Sequence, residues 1–366
     1  MKQLRFFLVV LSGASITLGA CNQHRTGEET NVSDAPKMAV GNGVPVRASL
    51  ETEPVGTLNA DAADDPAIWV DPNDRSRVVI FGSDKKAGLY AYGLDGKVIQ
   101  SLPGGNPNNV DVRSGFMVGG KPYVLVAASD RSPARFGISL FLMDPASLQT
   151  RFWGTIRVDL IEPYGLCLGK RGNDFIAIID GTDGQVRQLG ISVDRNGKPV
   201  GTEQKRYSLA SQTEGCVVDD AKDVVYIGEE DRGIWRYSLN PEAGAKATQI
   251  AQAPSAALTP DVEGLTLMRE GSKVWLIASS QGDSTFALWR VDADPRYVGR
   301  FSVVDAGGLD SVTGTDGVDA VAGPAGRYPN GLVVMQDDLD VSPGSSAERQ
   351  NFKVVDWREV KRALKL

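Results

Sequence analysis

The chain has 366 residues, with 39 Lys and Arg against 46 Asp and Glu and a net charge of −7, too mildly acidic to suggest nucleic acid as the main partner. It has one histidine, His24, near the N-terminus, and three cysteines, Cys21, Cys167 and Cys216, none in a metal-type or nucleophile-type motif. The body of the chain therefore has no Ser-His-Asp triad and no histidine-based zinc or iron centre, and it carries neither a Walker loop nor a dinucleotide glycine fingerprint.

Lys2 and Arg5 precede the apolar Phe6 to Leu11 and a weaker stretch to Leu18, a pattern expected of a secretory signal over residues 1–20 and too short for a spanning helix. Leu18-Gly19-Ala20-Cys21 resembles a bacterial lipobox, with Cys21 as the lipidated residue; the alternative is ordinary cleavage at an Ala-x-Ala-like site. Asn22 is not the Asp associated with retention at the inner membrane. The expectation is export with a lipid anchor at the bacterial outer membrane, periplasmic or cell-surface, or otherwise secretion. Residues 22–46, polar and aperiodic, are expected to form a flexible linker that carries His24, and residues 47–366 a single domain.

Within that domain six apolar runs climb into polar residues at Asp84, Asp130, Asp180, Glu230, Gln281 and Asp337, which are 46, 50, 50, 51 and 56 residues apart. Each is preceded by a short segment with its own acid or amide, such as Asp64-Asp65-Pro66, Asn108-Asn109-Val110, Glu214-Gly215-Cys216 and Asp261-Val262-Glu263. Most are followed by a run such as Gly88 to Asp95 or Gly233 to Asn240. These β-branched and aromatic runs of strand length, repeated near every 50 residues, predict small antiparallel sheets in an array. Taking the apolar runs as the inner strands, the fold is all-β, a six-bladed β-propeller with the acids ringed at one mouth of its channel. A closed ring has no free sheet edge, so a monomer is expected.

What remains for chemistry is carboxylate and amide oxygen. Hard oxygens in number suit calcium, several ions of which would relieve the repulsion among clustered acids and lower the pKa of a bridging water. Lys85 and Lys86, Arg113 and Arg131 stand beside these acids and point to an anionic substrate, phosphate being the natural match. Cys167 and Cys216 lie in the leading segments of neighbouring repeats, and either a disulfide or two separate buried thiols fits the sequence.

Nine segments in order resemble the calcium-dependent β-propeller phytases. They are Asp61 to Trp69, Lys85 to Leu89, Asn108 to Arg113, Ser211 to Gly215, Glu229 to Asp231, Leu258 to Leu265, Ala278 to Gly282, Thr315 to Asp319 and Gln350 to Lys353. The resemblance implies hydrolysis of phytate, myo-inositol hexakisphosphate, or its calcium salt, with a metal-bridged water attacking phosphorus in line. It implies calcium ligands at Asp65, Glu214, Glu230, Asp261, Glu263 and Gln281, a matching ligand segment at Asn109 and Asp111, and more peripheral ligands at Asp310 and Asp337. Lys85, Arg131, Glu214 and Tyr164 correspond to the catalytic set, and Lys85, Lys86, Arg131, Tyr164 and Asp183 to the phosphate-binding set. One departure stands out: the family's Gly-Lys-Glu-Gly turn is here Gly181-Thr182-Asp183-Gly184, which lacks the lysine, and Arg187 is the nearest replacement. Two other functions remain open at this point: a calcium-dependent lactonase, against which the basic residues count, and a non-catalytic calcium-binding propeller lipoprotein.

Overall fold

The computed structural model describes residues 41–341 and 347–366. The signal-like segment, Cys21, His24 and most of the linker lie outside the described residues. Six sheets follow one another along the chain, their strands antiparallel and in sequence order apart from two N-terminal strands that join blades five and six. Their first strands are Ala63–Val70, Pro107–Val118, Pro163–Arg171, Thr213–Asp219, Val262–Glu270 and Val318–Ala322. The second strands are Val78–Asp84, Lys121–Asp130, Asp174–Gly181, Val224–Glu229, Lys273–Ser280 and Gly331–Asp337. Each first strand touches the first strands of both neighbouring sheets, so six blades close into the expected propeller.

The order of strands within a blade differs from the expectation. The apolar runs are second strands, and the leading segments line the axis. The physical reason is that a second strand has sheet neighbours on both edges and adjacent blades on both faces, so its side chains are buried beyond its first residues and a continuous apolar run suits it. A first strand faces a polar channel, a cavity of about 330 Å³ whose lining includes Asp65, Asp111, Asp319, Asp219 and Arg113. Its carboxylates stitch one blade to the next. Asp65 accepts from the Val110 N–H (3.0 Å), Asp111 from the Leu168 N–H (2.7 Å) and Asp319 from the Ile68 N–H (2.7 Å).

Between blades the sheets pack face to face as apolar layers. Phe116, Leu125, Trp153, Leu166, Phe175 and Ile179 fill one such layer, with Phe116 edge-on to Phe175 at 4.9 Å and to Trp153 at 5.4 Å. Each large side chain fully buried there contributes about 1.5–3 kcal/mol. Cys167 and Cys216 form a disulfide, Cα–Cα 5.6 Å, that joins the first strands of blades three and four. This settles the pairing that the sequence had left open.

The two ends of the chain share the sixth blade. Leu50–Glu51 adds a fourth strand to it, with Leu50 opposite Val354 and Glu51 opposite Lys353. Val44–Arg47 runs parallel to Arg296–Val304 on the outer edge of blade five, so ordered strand begins before the boundary expected at residue 47. A short helix, Trp357–Leu364, is capped by Asp356 and buries Trp357 against Trp275.

Candidate metal and phosphate site

In blades one to five the first strand slips register by one residue beside the mouth of the channel. Such a bulge re-aims the side chains within it. The bulged pairs are Asp64-Asp65, Asn108-Asn109, Tyr164-Gly165, Glu214-Gly215 and Glu263-Gly264; Asp316-Gly317 holds the same place in blade six, tied to Gln336. The first members form a ring of Asp64, Asn108, Tyr164, Glu214, Glu263 and Asp316. Glycine follows in four blades because the next blade comes so close: a Cβ at Gly165 would lie 1.8 Å from the Glu214 carbonyl oxygen. Outside this ring stand the residues that follow the second strands. By the same register these are Lys85, Arg131, Thr182, Glu230, Gln281 and Asp338.

Blades four, five and six supply the acidic half of the mouth. Glu214, Glu230 and Glu263 are buried, with carboxylate oxygens within 4.8 Å of one another. Burial and the neighbouring Asp64 push Glu214 up to about 8; burial and Asp261 push Glu230 up to about 8. Glu263 is raised by burial and by Glu214, and Asp65 by burial and by Asp64. Glu230 Oε1 and Glu263 Oε2 are buried without a hydrogen-bond donor. Unmet hard oxygens converging in a group that resists ionisation are the donor set a divalent cation satisfies, so these residues fit one. Asp261 and Gln281 border the cluster: the Gln281 N–H donates to the Asp261 carbonyl (3.0 Å), and Gln281 Nε2 donates to Asp316 Oδ1 (2.5 Å). Asn109, also buried, accepts from Asn108 Nδ2.

Blades one to three supply the cationic half. The buried Lys85 ammonium lies 3.1 Å from Asp61, 3.0 Å from Asp64 and 3.1 Å from Asp316. Burial alone would lower its pKa, but Asp316, Asp61 and Asp64 outweigh it and hold the ammonium charged. Burial and the nearby Arg131 lower Lys86. The Arg131 guanidinium lies over the Tyr164 ring at 5.5 Å and 3.3 Å from Glu162. Tyr164 stays a neutral donor because Glu214, and then burial, raise its pKa.

Several acids expected at this site do other work. Asp84 caps Thr57 and Lys86; Asp130 caps Asn106 and Ser132 and accepts from Ser139; Glu229 caps Ala210 and Ser211 and accepts from Trp235. Asp111 lies farther down the channel, where Leu168, Val112 and Arg113 take up its carboxylate, and Arg113 is there with it. Asp310 and Asp337 belong to a second cluster with Glu51 and Asp340, and the fully buried Lys353 already brings positive charge to it. Asp183 is exposed and accepts from the Gln185 N–H, and a carboxylate offers a phosphate no donor. Arg187 is committed to the Asp159 carbonyl and to Glu203, so it does not replace the missing lysine at Thr182. Asp61, Asp64, Asn108, Asp316 and Asp338 were not among the expected site residues. All but Asp338 lie in segments that carry the family resemblance, but the direction of Asp64 and Asn108 depends on the bulge.

Residues 20–365 match the profile of the family described as Phytase. A relative described as 3-phytase, from Bacillus subtilis (strain 168), is 35% identical over 323 residues, 86% of this chain and 84% of that protein. Among solved structures, the Myceliophteria thermophila Cps50 (Swd1) β-propeller domain overlaps 78% of this chain and 82% of its own, with 10% identity and a TM-score of 0.45.

Proposed function

This chain belongs to the phytase family, and on that premise we propose that it hydrolyses phytate to lower inositol phosphates and phosphate with the help of calcium held at the channel mouth. Membership of the phytase family favours this reading over the lactonase and non-catalytic ones. The observation that carries the proposal is the pairing of two halves: Glu214, Glu230 and Glu263 clustered within 4.8 Å, and Lys85, Arg131 and Tyr164 opposite them.

When bound, calcium supplies positive charge against the carboxylates and acidifies water in contact with it. Glu214, Glu230 and Glu263 would hold it, with Asp65, Asn109, Asp261 and Gln281 at the border. Lys85, Lys86 and Arg131 orient the anionic substrate and offset charge that grows on the phosphoryl oxygens. Tyr164 donates its hydroxyl hydrogen bond and backs Arg131.

The decisive experiment is phosphate release from phytate across a calcium titration, with a chelator control and Glu214→Gln alongside. Release that needs calcium and collapses in Glu214→Gln supports the proposal; release that ignores both overturns it. Export is proposed as well, supported by residues 1–20 and by a disulfide suited to an oxidising compartment. Lipid attachment at Cys21 is tested by labelling with a fatty-acid analogue, which Cys21→Ser should abolish. A monomer, supported by the closed ring, is tested by light scattering.

A further inference from the structure

Blade two puts an amide where the ring otherwise holds Asp64, Tyr164, Glu214, Glu263 and Asp316. Asn108 is fully buried. Its Nδ2 donates to Glu214 Oε1 at 2.9 Å and to Asn109 Oδ1 at 3.1 Å, so both amide hydrogens are used. Its Oδ1 is buried and has no donor. Turning the amide over would set that oxygen against two acceptors, so the hydrogen bonds fix which way it faces. A buried amide oxygen left unmet is unfavourable, and a hard cation is a partner that meets it. As a neutral group it adds an oxygen to a crowded set of carboxylates without adding charge.

We propose that Asn108 is a further member of the cation site: a positioning residue that holds Glu214 through Nδ2, and a neutral oxygen ligand through Oδ1. This rests on the cation reading of the mouth given above. The plain alternative is a core asparagine that only ties blade two to blade four across the axis.

Calcium binding to the whole protein, followed by titration calorimetry, separates the two. Glu214→Gln identifies the mouth, as the class of binding it removes from the wild-type isotherm. For that class, Asn108→Leu should weaken binding about tenfold or more, the size typical of losing a group that orients a ligand. Asn108→Asp keeps an oxygen at the same place but gives up the Nδ2 hydrogen bond to Glu214, so its binding should fall between wild type and Asn108→Leu. Binding by Asn108→Leu within twofold of wild type, or by Asn108→Asp no tighter than by Asn108→Leu, overturns the proposal. Should Asn108→Leu not fold, as judged by circular dichroism in chelator, Asn108→Ala takes its place in both comparisons. A wild-type protein that binds no calcium at the mouth sinks the cation reading itself, an outcome distinct from normal wild-type binding that Asn108→Leu leaves unchanged.

Discussion

Lys85 Nζ and Asp316 Oδ2, 3.1 Å apart, join blade one to blade six across the seam where the ring closes. The pair belongs equally to the fold and to the site, since Asp61 and Asp64 complete the cage around the same ammonium.

Lys85→Met should therefore damage both. Three carboxylates lose their shared counter-charge in a buried position, a loss of about 3–5 kcal/mol. Scanning calorimetry in chelator should show a lowered melting midpoint that calcium restores in part, and phosphate release should fall about a hundredfold or more, the scale of losing one oriented charge at a reacting phosphate. An unchanged midpoint in chelator would show that the cage carries no stability.

Stability without divalent cations should fall as the pH rises. Glu214 and Glu230 are pushed up to about 8, above the ordinary carboxylate value, so the folded protein holds protons that the unfolded chain has released. The stability they contribute is fully present below about pH 4.5 and is lost as the pH climbs through about 8. Calcium needs the ionised groups, so saturating calcium should flatten the slope, and its affinity should rise across the same window with proton release. Melting midpoints at several pH values, with chelator and with calcium, check both statements. A midpoint in chelator that rises with pH over that window would contradict the assignment.

Thr182→Lys should improve substrate binding. Thr182 occupies in blade three the place held by Lys85 in blade one and Arg131 in blade two. An ammonium there adds a cation to the blade-three side of the mouth. KM for phytate should fall severalfold while kcat changes little, a split that steady-state kinetics resolves directly. A change in kcat with KM unchanged would mean that the residue acts on the chemical step instead.

Breaking the Cys167–Cys216 link should lower stability by about 2–4 kcal/mol, because the bridge closes a long loop in the unfolded chain. The two cysteines are 49 residues apart in sequence. Wild type under reductant and the double variant Cys167→Ser/Cys216→Ser should melt at similar, lowered temperatures, and reductant should not move the variant further. A variant that melts with oxidised wild type would remove the disulfide from the list of stabilising features.

The six-fold architecture was legible because its strongest signal, the apolar run of a buried second strand such as Val224 to Ile227, recurs near every 50 residues. Strand order was not legible, since the innermost strands are broken by Pro66, Gly165 and Gly264 where they line a polar channel. At the site, Glu214, Glu230 and Glu263 follow from position along the repeat. Glu229 and Glu230 show the limit. Adjacent and chemically alike, one caps Ala210 and Ser211 while the other enters the mouth, and only the strand's register separates them. Asp64 and Asn108 were missed for the same reason, because a one-residue bulge decides which of two neighbours points inward.

The sixth blade pairs Leu50 with Val354, residues from opposite ends of the domain. A chain emerging from the ribosome therefore carries the Leu50–Glu51 strand without a partner until the last strand has been made. Blades one to five can assemble in order from near neighbours, but the ring stays open, and the Lys85–Asp316 seam with it. A partly synthesised or C-terminally clipped chain should therefore lack a closed mouth, with the final strand as the latch on the ring.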